Sequence, residues 1–367
     1  MSAFSLRIWT FSVCCLGAVI AFPLVAQPPR GSGPPPPGGG RGEGGPPGRP
    51  PGGGPMHSRA HTETEAEDLD LITANRTPPK KTEVSISENN GEKHITSNGM
   101  PDHKVGRFPN RSNPNEIREQ RYDIVIPDNP EVSERTISMI ADPRGGGRPP
   151  RLRVFGVTLD GVLLEPGTAE VWQGRRDSGW NYEALGGAIP LGLDENYGHV
   201  QPDGSYHYHG LPIGLMRRLG HRSGDHSPQI GWAADGFPIY ALYGYSDPED
   251  SNSGSEELKT SYRLKAGERP GGNEPSGRFD GAFVQDYEFV KGLGDLDECN
   301  GRFCVTPEFP EGTYAYFLTR EWPVVPRVFR GDPTEIVKPG DPRGGGGPGR
   351  GGPPERGGRP PRGGFPQ

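Results

Sequence analysis

The chain has 367 residues and a formal net charge of -7, and Gly (59) and Pro (44) are its most distinctive components. Hydrophobic residues make up 31% and aromatic residues 8%. That composition excludes a membrane channel, a long coiled coil and a small cysteine-stapled scaffold. The Gly and Pro are unevenly spread, so a folded middle between two Pro/Gly-rich ends is expected.

Residues 1–26 carry one charge, Arg7, before an apolar run from about Trp9 to Val25, and Leu24-Val25-Ala26 offers a small-residue cleavage site. This pattern predicts a secretory signal peptide, hence a secreted or periplasmic protein with no stable membrane insertion after cleavage. Residues 27–62 form a Pro/Gly-rich linker, and residues 331–367 form a Gly/Pro/Arg-rich tail. Both are expected to be disordered, because they hold too few side chains to offset the entropy of ordering. Arg144-Gly145-Gly146-Gly147-Arg148-Pro149-Pro150 predicts a loop insertion. The domain itself is placed at residues 63–330. It carries -13 of charge against +4 before it and +2 after it. So acidic a domain argues against nucleic acid as a partner and tolerates cations.

Within the domain, residues 65–75 predict a short helix or no regular element. Tyr122–Ile126 and Arg135–Ile140 alternate as strands do. Leu152–Thr158 and Val162–Leu164 predict a hairpin turning at Asp160-Gly161. Pro238–Tyr245, Tyr314–Thr319 and Val324–Phe329 complete a β-rich set, and no stretch carries a long helical stripe. The expected fold is mainly β, a single large domain with long loops, sandwich-like or barrel-like. Two cysteines fall in the signal peptide. Cys299 and Cys304 remain, and an oxidising compartment predicts a disulfide between them.

Five of the nine histidines, His199, His207, His209, His221 and His226, fall within 28 residues. As a strand, Tyr206-His207-Tyr208-His209 would set both imidazoles on one face and both phenols on the other. Pro202-Asp203-Gly204 is a turn that would fold His199 back toward the pair. Neutral imidazoles suit a divalent transition metal, Zn or Cu, with a carboxylate able to complete the shell. A buried His/Tyr hydrogen-bond network and a metal-free acid/base site are the alternatives. Asp194-Glu195-Asn196 and Asp295–Asn300 could take Ca but lack the twelve-residue loop spacing, so solvated acidic loops are the better reading.

At that tetrad the chain resembles the YHYH domain family. The resemblance extends over Ser97-Asn98-Gly99-Met100-Pro101-Asp102-His103, Gly106–Asn110, Asn113–Asn115, Pro166–Glu170, Trp180–Gly186, Leu191–Asp194 and His199–Gly204. It continues over Asp235–Tyr240, Asn300–Arg302, Thr306–Glu308 and Gly312–Phe317, so it covers about residues 90–330. It implies an exported protein and carries over no settled activity. It also places Pro101-Asp102-His103 in the same domain as the tetrad, which adds His103 to the candidate ligands His199, His207, His209 and His226.

Three roles follow. The first is a metal-binding domain. The second is a metal-dependent enzyme, a hydrolase or a Cu/Fe oxidoreductase, with Asp225 or Asp235 as base and Tyr206 and Tyr240 as oxyanion donors or packing groups. The third is an extracellular glycan- or protein-binding module, with Trp172, Trp180, Trp232 and Trp322 lining a surface. The chain lacks a Gly-x-Ser-x-Gly elbow, a His-Glu-x-x-His helix and a nucleotide loop, which removes several common enzyme classes.

Overall fold

The structure is a computed structural model that describes residues 61–140 and 153–338. Residues 1–26, all but the end of the 27–62 linker, the Arg144–Pro150 patch and the tail beyond residue 338 lie outside the described residues. The domain is mainly β. Strands β1 (Val84–Asn89), β2 (Glu92–Ser97) and β3 (Tyr122–Pro127) form an antiparallel sheet in that order. The main sheet has eight strands: β5 (Gly156–Thr158), β6 (Leu163–Leu164), β9 (Gly198–Val200), β10 (Tyr206–Tyr208), β11 (Gly231–Ala233), β12 (Pro238–Ala241), β17 (Gly301–Cys304) and β18 (Thr313–Leu318). Their spatial order is β17-β18-β12-β11-β5-β6-β10-β9. This sheet is open, with β17 and β9 at its edges, so the barrel alternative does not hold.

Four two-stranded ladders decorate the sheet. They join β4 (Val132–Ser138) to β19 (Val328–Gly331), and β7 (Gly167–Val171) to β8 (Asn181–Glu183). They also join β13 (Tyr243–Tyr245) to β14 (Ser255–Glu257), and β15 (Tyr262–Leu264) to β16 (Tyr287–Phe289). The one α-helix among the described residues, α1 (Ile213–Arg218), is short. No helix among them is long and apolar enough to cross a membrane. Residues 65–75 form no helix. This segment is an extended strap, and Ile72 bridges Asp194 in parallel.

The predicted hairpin forms as β5 and β6, and Gly161 takes the positive φ (76°) that its turn requires. One face of the main sheet builds the largest core cluster, which includes Phe155, Leu164, Tyr206, Tyr208, Ile239, Tyr314 and Tyr316. On the other face Ile95, Tyr122, Ile124 and Ile126 of the three-stranded sheet pack against Val157 and Leu163. That part of the domain is sandwich-like.

The main sheet is a structural repeat of one four-stranded unit. Strands β5 and β11 meet antiparallel, with Gly156 opposite Ala233 and Thr158 opposite Gly231, a self-complementary register about a pseudo-two-fold axis. On each side of that axis a hairpin follows: β5–β6 turning at Asp160-Gly161, and β11–β12 turning at Asp235-Gly236. Strand β6 then runs parallel to β10, as β12 does to β18. Finally β10 pairs antiparallel with β9, as β18 does with β17.

The corners match as well. Before β9, Asp194 Oδ1 accepts hydrogen bonds from the Asn196 and Gly198 amides (2.9 and 3.2 Å) and from the Tyr206 hydroxyl (3.0 Å). Before β17, Asp297 Oδ1 accepts from the Cys299 and Gly301 amides (2.9 and 3.2 Å) and from Tyr314 (2.9 Å). Glycine is required at both corners, because a Cβ on Gly198 or Gly301 would lie 2.3 or 2.4 Å from the tyrosine hydroxyl.

Two expectations need correction. Cys299 and Cys304 are buried free thiols rather than a disulfide. Cys299 belongs to the Tyr314–Tyr316 core and Cys304 to a separate cluster with Tyr240 and Phe317. The carboxylates Asp194 and Asp297 are structural anchors, not members of solvated loops. Asp194 is fully buried, and its oxygens are taken by backbone amides and a phenol.

Candidate metal centre

The site is built on the hairpin β9–β10. The register places His199 directly opposite His207, and His209 follows two residues later on the same face. The Tyr206 and Tyr208 side chains point the other way, into the core. There Tyr206 donates to Asp194, while Tyr208 donates to Asp160 Oδ2 (3.1 Å). These bonds tie down the phenol side of the strand and so orient its imidazole side.

The three imidazoles form a near-equilateral triangle, with ring centroids 4.7, 4.7 and 4.8 Å apart. The Nε2 atom of His209 lies 3.1 Å from that of His207 and 3.1 Å from that of His199. The Nδ1–H of His199 donates to the Leu191 carbonyl (3.0 Å), and the Nδ1–H of His207 donates to the Ser205 carbonyl (3.4 Å). A carbonyl only accepts, so both neutral rings carry their proton on Nδ1 and aim an Nε2 lone pair at the centre. His209 Nδ1 is buried and has no partner.

Burial holds all three rings below the ordinary imidazole value, His207 and His209 well below it. For His207 and His209 the neighbouring imidazoles add to the effect, and the Lys338 charge lowers all three. Neutral rings are the form that binds metal.

A tetrahedral zinc at about 2.0–2.1 Å from each nitrogen would hold the nitrogens about 3.3–3.4 Å apart. The observed 3.1 Å contacts are within a few tenths of that, so the residues fit a metal. The ligand atoms of the three all lie within 4.8 Å of one another. Among the described residues, no fourth His, Cys, Asp or Glu joins them.

The other candidates lie elsewhere. His103 is on the phenol side, its Nε2 2.6 Å from the Tyr208 hydroxyl and its Nδ1–H donating to the Lys104 carbonyl. His226 packs among Tyr240, Tyr245 and Phe317 and donates from Nδ1 to the Ser227 carbonyl. Asp225 is exposed. Asp235 is buried and accepts from the Tyr316 hydroxyl (2.5 Å) and the Gly331 amide (2.9 Å). Tyr240 donates to Thr306 or Glu308, both 2.8 Å away. Trp172, Trp180 and Trp322 are buried, so they cannot line a binding surface; Trp232 is half-buried.

Sequence reasoning missed the polar cluster beside the triad. Lys338 donates to Gln201 Oε1 (2.8 Å) and pairs with Glu165, and Gln201 donates to Glu165 Oε2 (3.0 Å). Gln201 is two residues past His199 on the same pleat, the one local signal that could have flagged it. Lys338 comes from the far end of the chain and gave no such signal.

No curated protein and no solved structure matches this chain. A family model described as YHYH protein matches residues 124–331, more than half of the chain. The match begins later than the resemblance read from the motifs, so the Pro101-Asp102-His103 segment lies outside it. It contains the whole main sheet and the three converging histidines, and the chain belongs to the YHYH protein family.

Proposed function

We propose that the domain binds one divalent transition metal, zinc or copper, through His199, His207 and His209, in a protein exported by its N-terminal signal. One observation carries this reading: two imidazoles have their Nδ1 protons pinned by backbone carbonyls, so their Nε2 lone pairs converge on the third ring. The third ring can offer at most one Nε2 proton to those two lone pairs, whereas a cation at the centre would satisfy all three nitrogens.

The sheet's own repeat supports the reading. The second unit places Arg302, Ala315 and Phe317 where the first has His199, His207 and His209. A second unit of the same topology forms with other residues at these positions, which supports a role for the triad beyond the architecture. Three histidines without a fourth protein ligand match the open pattern, which leaves a position for water or a ligand. The acid/base roles considered for Asp225, Asp235, Tyr206 and Tyr240 gain no support, since none joins the triad.

Elemental analysis of the full chain, stripped with chelator and reloaded with zinc or copper, tests the proposal. About one tightly held metal per chain is expected. Retention of neither metal would refute it.

A further inference from the structure

The cluster of Gln201, Glu165 and Lys338 crosses the imidazole face of the sheet. Strand β10 runs between β6 and β9. Leu163 of β6 pairs with His207, and His199 of β9 stands opposite it. Side chains two residues apart share a face, so Glu165 follows Leu163, and Gln201 follows His199, onto the imidazole side. The ladders extend to both residues: the Glu165 amide donates to the Tyr208 carbonyl (2.9 Å) and the Gln201 amide to the Ser205 carbonyl (3.0 Å). The bond from Gln201 Nε2 to Glu165 Oε2 (3.0 Å) therefore spans β10 from the level of Ser205 to that of Tyr208, and it passes over His207.

Lys338 fastens this bridge from outside the sheet, donating to Gln201 Oε1 (2.8 Å) and pairing with Glu165. It ends a C-terminal strap, residues 332–338, that begins where the family match stops. The Thr334 amide donates to the Ala234 carbonyl (2.9 Å) just past β11, and Ile336 packs against both core clusters that border the main sheet. Four extended residues from Thr334 to Lys338 reach about 13 Å, enough to cross the two strand spacings from β11 to β6, roughly 9.6 Å. Beside this cover His207 and His209 are 1% and 2% exposed. By the register of the repeat, the second unit places Tyr240 and Cys304 where the first has Glu165 and Gln201, in an apolar cluster with Phe317. Of the two units, the one with the imidazoles is the one with the polar bridge.

We infer that the bridge is a latch: the C-terminal strap, fastened by Lys338 to Glu165 and Gln201, closes over the triad, and its release opens the three imidazoles to a metal ion from solution. Control of metal traffic rests on the metal reading, whereas the covering of the rings does not.

The test uses the full metal-free chain and diethyl pyrocarbonate, which acylates accessible imidazoles, with mass spectrometry reading each histidine. His94, whose side chain is 39% exposed, is the internal reference. In wild type, His207 and His209 should be labelled at least about tenfold more slowly than His94. Ile336→Ala loosens the strap without changing a charge, and Lys338→Met breaks the latch itself. Each should speed labelling of His207 and His209 by about tenfold, with His94 unchanged and circular dichroism confirming the fold. In the zinc-loaded chain, Ile336→Ala should speed both loading and transfer to a chelator, and change affinity by less than about threefold, because a lid sets rates rather than ligand strength.

Labelling of the wild-type triad as fast as His94, or wild-type labelling rates in both variants, would overturn the latch. Faster labelling in Ile336→Ala with zinc exchange at the wild-type rate would overturn its control of metal traffic. A chain whose variants label faster but which retains no metal would sink the metal reading and leave the cover standing.

Discussion

The assignment of ligands can be tested by subtraction, because the structure divides the candidate histidines sharply. His209→Ala removes the ring whose Nε2 touches both of the other two. His103→Ala and His226→Ala remove rings on the phenol side of β10 and in the aromatic pocket of the second repeat unit. Structural zinc sites with four ligands are worth about 10–16 kcal/mol, so one ligand is worth roughly 2.5–4 kcal/mol. At 1.4 kcal/mol per decade, His209→Ala should weaken zinc by about two to three orders of magnitude, and His103→Ala and His226→Ala by less than about threefold. Competition against a chromophoric chelator at pH 7.5 measures all three, with circular dichroism confirming the fold. If His103→Ala costs as much affinity as His209→Ala, or if His209→Ala binds zinc like wild type, the geometric assignment fails.

The same burial that keeps the triad neutral makes the metal-free protein acid-sensitive. The folded imidazoles titrate below their unfolded value of about 6.5, so the unfolded state takes up more protons and stability falls as pH drops below that value. Each ring that stays neutral steepens the slope by up to about 1.4 kcal/mol per pH unit. Denaturant melts of wild type against a His199→Asn, His207→Asn, His209→Asn variant isolate this slope from the buried Asp160, Asp194, Asp235 and Asp297, which burial pushes up and which act in the opposite sense. A difference that does not grow between pH 7 and 5 would contradict the buried, neutral triad. Lys338→Met removes a positive charge felt by all three rings and frees Glu165, so zinc affinity should rise several-fold in the same chelator assay; unchanged affinity would place Lys338 outside the field of the site. Gly198→Ala puts a Cβ against the Tyr206 hydroxyl and should cost about 1–3 kcal/mol in chemical denaturation.

The sequence made the hairpin legible because two local signals agreed: Pro202-Asp203-Gly204 for the turn, and alternation in Tyr206–His209 for the faces. Those signals bring His199, His207 and His209 together. His103 and His226 could not be separated from them by proximity in sequence or by family motif. What decides their place is the side of a strand they approach, a tertiary property. Asp194 and Asp297 read as surface carboxylates because composition does not reveal that two backbone amides and a phenol await each one. Cys299 and Cys304 lie five residues apart, which invited a bond. Their burial in separate clusters depends on the path of the chain through Asn300, whose φ is positive (56°).

The repeat was the strongest signal left unread, and it separates scaffold from site. Both units keep a carboxylate at the corner, a glycine that opens the next strand, a Tyr-x-Tyr pair and an Asp-Gly turn whose carboxylate meets the second tyrosine. Each of these does the same structural work twice. The hydroxyls of Tyr206 and Tyr314 satisfy corner aspartates, while those of Tyr208 and Tyr316 satisfy turn aspartates. What differs is the opposite face. One unit presents three imidazoles. The other presents Arg302 stacked over Phe317, with Ala315 beside them. A residue that the fold requires should recur where the fold recurs. By that criterion the two tyrosines of Tyr206-His207-Tyr208-His209 belong to the architecture, and the two histidines are positions that the repeat does not fix.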